Sequence, residues 1–436
     1  MKFLFNFFNS QQIRNAAVGS LGIKFFSAFF AFVNSILLAR ILGVEAFGIY
    51  VLAFSILILA SVLVSLGLPK LMTRFIPKYE VEQNLGAVKG LLIQALKYVL
   101  LASGILGVVA FLIYLIGWNS IDNVLGKTLY FGLLLIPILA MTSISAASLR
   151  GLRFILLGQF HDTFLRNLLF CIGILVFYYG GMKLSPISAI LLYTIAGVIS
   201  FLVGLVFLHR KLFQKIKTVK AEYYNNLWLK EATPFTIDSG IQELKSKVIT
   251  YILAVFGSIE AVALFDVASR GAALVAFTLD GLNTAIAPYI SKAFESKNME
   301  SLQRIVTKTS RIIFVFALPV VIVFVIGGKA LLNFLYGNVY EDSYVPLVIL
   351  CIGQLVNAAT GSVGLVLNMT GYQSTYTKVN FVITMANAVL SIPFVIYLDV
   401  LGASIIFSSL LVIQNLVLVL FLNKRLNINS TIFTFR

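Results

Sequence analysis

Apolar residues gather along the chain in long runs, separated by short polar or basic segments. Each run is near the ~20 residues a helix needs to cross a hydrocarbon core. The pattern predicts twelve spans, at 15–39, 47–69, 91–116, 128–149, 163–181, 187–208, 233–257, 261–289, 310–328, 345–367, 376–398 and 400–422. The runs do not alternate as barrel strands do. A helix satisfies its own backbone hydrogen bonds in lipid, so each run reads as helical. The expected fold class is an all-α integral membrane protein.

Composition agrees. Hydrophobic residues make up 60% of the 436 positions and charged residues 11%, against about half and a quarter in soluble domains. Cys171 and Cys351 both lie in apolar runs and read as packing residues, not a disulfide. His161 and His209 are isolated and form no ligand cluster, so neither a metal site nor any other cofactor is expected. The opening MKFLFNFFNSQQIRN is basic and Phe-rich. It leads into an apolar run too long for a cleaved signal, and reads as the approach to a first span.

Lys and Arg set the orientation. With both termini in the cytoplasm, 24 of the 33 fall on the cytoplasmic side, four outside (Arg40, Lys127, Lys183, Lys329) and five within spans. A missed helix would invert every later loop, so this asymmetry supports the span count. The net charge of +16 is then mostly a topology signal and does not point to nucleic acid.

The domain organisation expected is an N-terminal six-helix lobe, 1–208, a basic cytoplasmic link, 209–232, and a C-terminal six-helix lobe, 233–436. The link carries Leu, Ile, Tyr and Trp among its basic residues, as an interfacial helix on an anionic surface would. The halves resemble each other. EAFGIYVLA, Glu45 to Ala53, matches EAVALFDVA, Glu260 to Ala268, with Val51 replaced by Asp266. PKLMTRF, Pro69 to Phe75, matches PYISKAF, Pro288 to Phe294. Two halves of six spans form a parallel repeat, whose expected architecture is two bundles facing a central cleft.

Arg166, Arg311 and Lys378 fall in the first turn of a predicted span and are counted with the cytoplasmic charges; nine more charged residues lie deeper inside the spans: Lys24, Lys97, Asp238, Glu243, Lys245, Lys247, Asp266, Arg270 and Asp280. Each costs about 2.5–3.5 kcal/mol at mid-bilayer, so they must face protein or water. Asp266 with Arg270 and Glu243 with Lys247 are spaced i,i+4 and can pair along one helix. Lys97 snorkels toward the nearer surface. Lys24 and Asp280 have no partner on their own helices. Two readings stand: buried pairs that hold the halves together, or a polar cleft whose surplus cations meet an anionic substrate such as a diphosphate.

The run SILLARILGVEAFGIYVLAFSI, Ser35 to Ile56, resembles the first-to-second-span signature of polysaccharide transport proteins, which are O-antigen-type flippases of the multidrug/oligosaccharidyl-lipid/polysaccharide exporter superfamily. Ala39, Arg40, Leu42, Gly43, Glu45, Gly48 and Tyr50 carry the signature, and LPKLMTRFIPKY, SLRGLRF and LNMTGYQ are similar to the family as well. The resemblance implies a flippase that moves an undecaprenyl-diphosphate-linked oligosaccharide, an O-antigen or capsule repeat of lipopolysaccharide type, across a bacterial plasma membrane by alternating access. Lys24, Lys245, Lys247 and Arg270 are then the substrate-binding candidates. Asp238, Glu243, Asp266 and Asp280 are candidates for ion coupling or gating, and Arg40 for an outer gate. The partners implied are the lipid-linked oligosaccharide, membrane lipids, H+ or Na+ as coupling ion, and other polysaccharide-assembly membrane proteins. The rival within the superfamily is a multidrug cation antiporter, which would want net negative charge in its cleft. An enzyme is not expected, because the short outer loops present no acid pair in reaction geometry.

Overall fold

The computed structural model describes residues 11–115 and 123–433. Every element in them is helical. In chain order the helices are α1 (Gln11–Leu42), α2 (Val44–Val64), α3 (Leu68–Val81), α4 (Leu85–Leu115), α5 (Val124–Gly132), α6 (Leu135–Gly151), α7 (Ile155–Tyr179) and α8 (Pro186–Phe213). There follow α9 (Asn225–Phe256), α10 (Ile259–Glu295), α11 (Met299–Tyr336), α12 (Tyr344–Thr360), α13 (Val363–Met369) and α14 (Gln373–Leu426). Among the described residues nine helices are long and apolar enough to cross a membrane, and the bent pair α5 and α6 makes a tenth. A break inside α14, at Asp399 (φ 47, ψ −127), divides it into two spans. α9 is too charged to pass on hydropathy, yet at 32 residues it has the length of a span. The total is the twelve that the apolar runs predict.

The chain forms two compact units, the first ending at Lys247 and the second beginning at Val248. The boundary falls inside α9. In the first unit α6 is central and packs against α2, α3 and α8. Among its buried residues, small ones alternate with Leu and Ile: Ala140, Ala146, Ala147, Ser148 and Gly151 beside Leu139, Ile144 and Leu149. Small residues let helices approach where hydrophobicity alone gives no drive.

The second predicted span is broken where its repeat partner is not. Leu66 and Gly67 have positive φ (49 and 64) and separate α2 from α3. In the second unit α10 runs unbroken through Pro288. Packing explains the break. A Cβ on Gly67 would lie 2.5 Å from the Ala232 carbonyl and 2.6 Å from the Thr236 amide, so the backbone of α9 rests on this turn. Lys70–Asp238 (2.5 Å) and Arg74–Glu231 (2.9 Å) continue the contact between α3 and α9.

α8 ends in a π-turn at His209–Phe213, and the link to α9 has a short helical turn at Gln214–Ile216 and then a non-helical strap. The strap lies across the start of α4. The Glu222 amide donates to the Gly86 carbonyl (3.0 Å), and Lys89 Nζ donates to the carbonyls of Lys217 (3.1 Å) and Val219 (2.8 Å). Trp228 is fully buried just beyond it, its Nε1 donating to the Tyr79 hydroxyl (2.9 Å).

In the second unit α12 packs against α10, α11 and α14. A buried cluster of Ile290, Leu302, Val306, Val366, Leu418 and Leu422 lies at one end. Residues 427–433 fold back onto it. Ile428 and Ser430 are buried. Gln303 Nε2 donates to the Asn429 carbonyl (2.6 Å), and Gln303 Oε1 accepts from the Asn429 amide (2.9 Å). Ser310 Oγ donates to the Ser430 carbonyl (2.7 Å).

Candidate functional site

Polar groups in an apolar bundle must find one another. In the first unit they do so between α1 and α7. Ser20, Ser27 and Asn34 are seven residues apart on α1, so they share one face. Ser20 Oγ donates to Gln159 Oε1 (2.7 Å), Asn34 Nδ2 to the Asn167 carbonyl (3.0 Å), and Asn167 Nδ2 to Ser27 Oγ (3.3 Å). Between these contacts α7 opens into a π-turn, Phe160–Leu165, a distortion that often marks functional positions.

The π-turn holds the charged core of this unit. Arg166 Nη1 lies 3.5 Å from Asp162 Oδ1, with side chains only 15% and 17% exposed. The guanidinium also sits over the Tyr193 ring, 5.6 Å from its centroid. His161 is fully buried. Its Nδ1 lies 2.8 Å from the Leu157 carbonyl. A carbonyl only accepts, so Nδ1 carries the proton and Nε2 of the neutral ring is left as an acceptor. That Nε2 and Ser145 Oγ are both buried without a hydrogen-bond partner among the described residues. Gly204 of α8 lies against both: a Cβ there would be 2.6 Å from Nε2 and 2.7 Å from Oγ.

The hydropathy reading missed this cluster. It begins the fifth span at 163, which leaves Asp162 outside, and it counts Arg166, in the first turn of that span, with the cytoplasmic charges. The helix starts at Ile155, so Arg166 lies eleven residues in, roughly 16 Å along the axis. The signal was present: Asp162 and Arg166 have the same i,i+4 spacing as Asp266 and Arg270.

In the second unit the predicted pair forms. Arg270 Nε donates to Asp266 Oδ2 at 2.5 Å, with Asp266 8% exposed and Arg270 32%. Buried Tyr340 is within electrostatic reach of Asp266. Nearby, Glu341 accepts from Lys329 Nζ (3.0 Å) and Asn333 Nδ2 (2.7 Å).

The other sequence candidates are dispersed. Lys24 is exposed on α1 and makes no ion pair among the described residues. Arg40 is exposed at the last turn of α1. Asp238 is exposed and paired with Lys70, a residue of α3. Glu243, Lys245 and Lys247 are half-buried along α9. The i,i+4 pairing expected of Glu243 with Lys247 is not formed, because their charged ends do not come within ion-pair distance. The side chain of Asp280 lies outside the described residues. Among the described residues no group of His, Cys, Asp and Glu could hold a metal ion.

A twelve-span helical chain with charge pairs inside its spans defines a membrane transport protein, and comparisons with known proteins bear this out. The model of the polysaccharide biosynthesis protein family matches residues 13–294, and that of the MatE family matches residues 234–395. The chain belongs to the polysaccharide biosynthesis protein family, within the multidrug/oligosaccharidyl-lipid/polysaccharide exporter superfamily. No curated protein matches it. Among solved structures it is similar to an inward-facing multidrug resistance MATE family transporter of that superfamily (15% identity, 94% of this chain and 98% of the other, TM-score 0.79). It is also similar to the lipid II flippase MurJ in an inward closed conformation (15%, 92% and 86%, 0.71). A third is a superfamily transporter from Pyrococcus furiosus described by the reverse polarity of its binding pocket (16%, 95% and 95%, 0.62). At these identities the likeness is one of fold.

Proposed function

We propose that the chain is a flippase that carries a lipid-linked oligosaccharide, with a polyprenyl diphosphate as its anionic anchor, from the inner to the outer leaflet of a bacterial plasma membrane. Movement is by alternating access, and the glycan is an O-antigen or capsule-type repeat. The observation that carries this reading is Lys24, an ammonium within a span that is exposed and makes no ion pair among the described residues. A cation in that position needs an anion, and a diphosphate supplies one through charge-assisted hydrogen bonds. Lys245 and Lys247 of the first unit and Arg270 of the second are the further cations offered. Asp238, Glu243, Asp266 and Asp280 serve coupling to H+ or Na+ or gating, and Arg40 serves as an outer gate. The family match supports a polysaccharide pathway, and a lipid II flippase of like fold supports a lipid-linked cargo.

A second reading, export of multidrug cations, is favoured by the MatE match over 234–395. The two part in a deletion strain. Flipping predicts lipid-linked oligosaccharide accumulating on the inner leaflet, with drug susceptibility unchanged. Drug export predicts the reverse. Lys24→Ala should lower oligosaccharide transport while leaving the thermal midpoint of the purified protein unchanged. Undiminished transport at equal expression removes Lys24 from the site.

A further inference from the structure

A cavity of about 590 Å³ opens in the first unit between α4, α6 and α8, above the strap. Its wall is almost entirely carbon: Leu92 and Leu96 of α4, Met141 of α6, Phe201 and Leu205 of α8. At its mouth the lining changes to His209 and Lys217, both exposed, with Lys89 beside them. Lys89 is already engaged, its ammonium donating to the carbonyls of Lys217 and Val219 and so folding the strap beneath the opening. Arg210 and Lys211 are exposed next to the mouth.

The charge pattern places this mouth on the cytoplasmic side of the bilayer. The wall extends up α4 from Lys89 to Leu96, roughly 10 Å. The cavity is therefore a slot running from headgroup level into the hydrocarbon. Its volume lies in the range of small-ligand sites, about 300–1,000 Å³. At that depth it takes the headgroup-proximal part of one fatty-acyl chain. Carbon walls favour hydrocarbon, and the cationic mouth favours a negative headgroup, which the inner leaflet supplies.

We infer that this slot binds one anionic glycerophospholipid of the inner leaflet, an acyl chain between α4 and α8 and its phosphate at His209 and Lys217. The site is separate from the charges assigned to the cargo, so it stands or falls independently of the transport reading.

The test is lipid retention by the delipidated full chain in native mass spectrometry, comparing phosphatidylglycerol with phosphatidylcholine of the same acyl chains. Phosphatidylglycerol should be retained about fivefold more strongly, the order expected of one ammonium, that of Lys217, near an anionic headgroup. The paired change His209→Glu and Lys217→Glu should remove that preference. Leu96→Trp, which fills the slot, should lower retention of both lipids, while Lys220→Glu, on the strap but away from the lining, should change neither. Equal retention of the two lipids by the unaltered chain overturns the proposal without any variant. So does an equal loss in Lys220→Glu, which would make the effect one of general surface charge, or displacement of phosphatidylglycerol by polyprenyl phosphate.

Discussion

Arg166 and Asp162 carry the residue-scale argument. Both are largely withdrawn from solvent, yet 3.5 Å is a long contact for an ion pair, and the Tyr193 ring shares the guanidinium. Removing one charge of such a pair strands the other, which costs about 3–5 kcal/mol when burial is complete. Here the remaining exposure lowers that figure. Arg166→Met should cost about 2–3 kcal/mol, read as a lowered unfolding midpoint in detergent, and Asp162→Asn in the same chain should restore part of it. Additive losses would mean the two side chains do not depend on each other. The sequence showed these charges but not their place. A hydropathy scan ends a span wherever charges appear, and it cannot see that a partner four residues away and a widened helical turn make them tolerable inside.

Among the helices, the break between α2 and α3 is the most exacting. Gly67 combines positive φ with α9 backbone 2.5 Å from where a Cβ would stand. Gly67→Ala should destabilise the first unit by about 1–3 kcal/mol and raise hydrogen exchange in α9 around Ala232 and Thr236. Unchanged exchange there would mean that α9 does not rest on this turn. The strap offers a pH test. Hydrogen bonds from Asn84 (2.9 Å) and Tyr224 (2.8 Å) hold the Glu222 carboxyl below its ordinary value of 4.5. A depressed folded value means the contribution is complete above the ordinary value and is lost as pH falls through the lower, folded one. Protection of the strap from proteolysis should therefore fall as pH drops below that ordinary value, and Tyr224→Phe should move the loss to higher pH. These features lay beyond the apolar pattern because backbone approach and strap contacts have no periodicity. Gly67 and Gly90 looked like ordinary glycines in the sequence, yet a Cβ on Gly90 would come 1.7 Å from the Glu222 carbonyl.

For the whole molecule, the twelve apolar runs were legible because bilayer thickness imposes one length on every crossing. Their ends were not. α11 runs for 38 residues, about 57 Å, nearly twice the hydrocarbon core, where the pattern marked 310–328. The excess is amphipathic helix, which hydropathy discards. The orientation can be checked without background, since Cys171 and Cys351 are both buried. A cysteine placed at Lys211 should react with an impermeant maleimide only in inverted vesicles, and one at Lys329 only in intact cells. The opposite pattern would reverse the topology. Residues 427–433 have a practical bearing on any such work. They are wedged into the second unit by Gln303 and Ser310 rather than trailing from it. A reporter or purification handle spliced directly after Leu426 would prise that wedge out and open the Ile428 niche, and any loss of output would then reflect a damaged fold and not an impaired carrier.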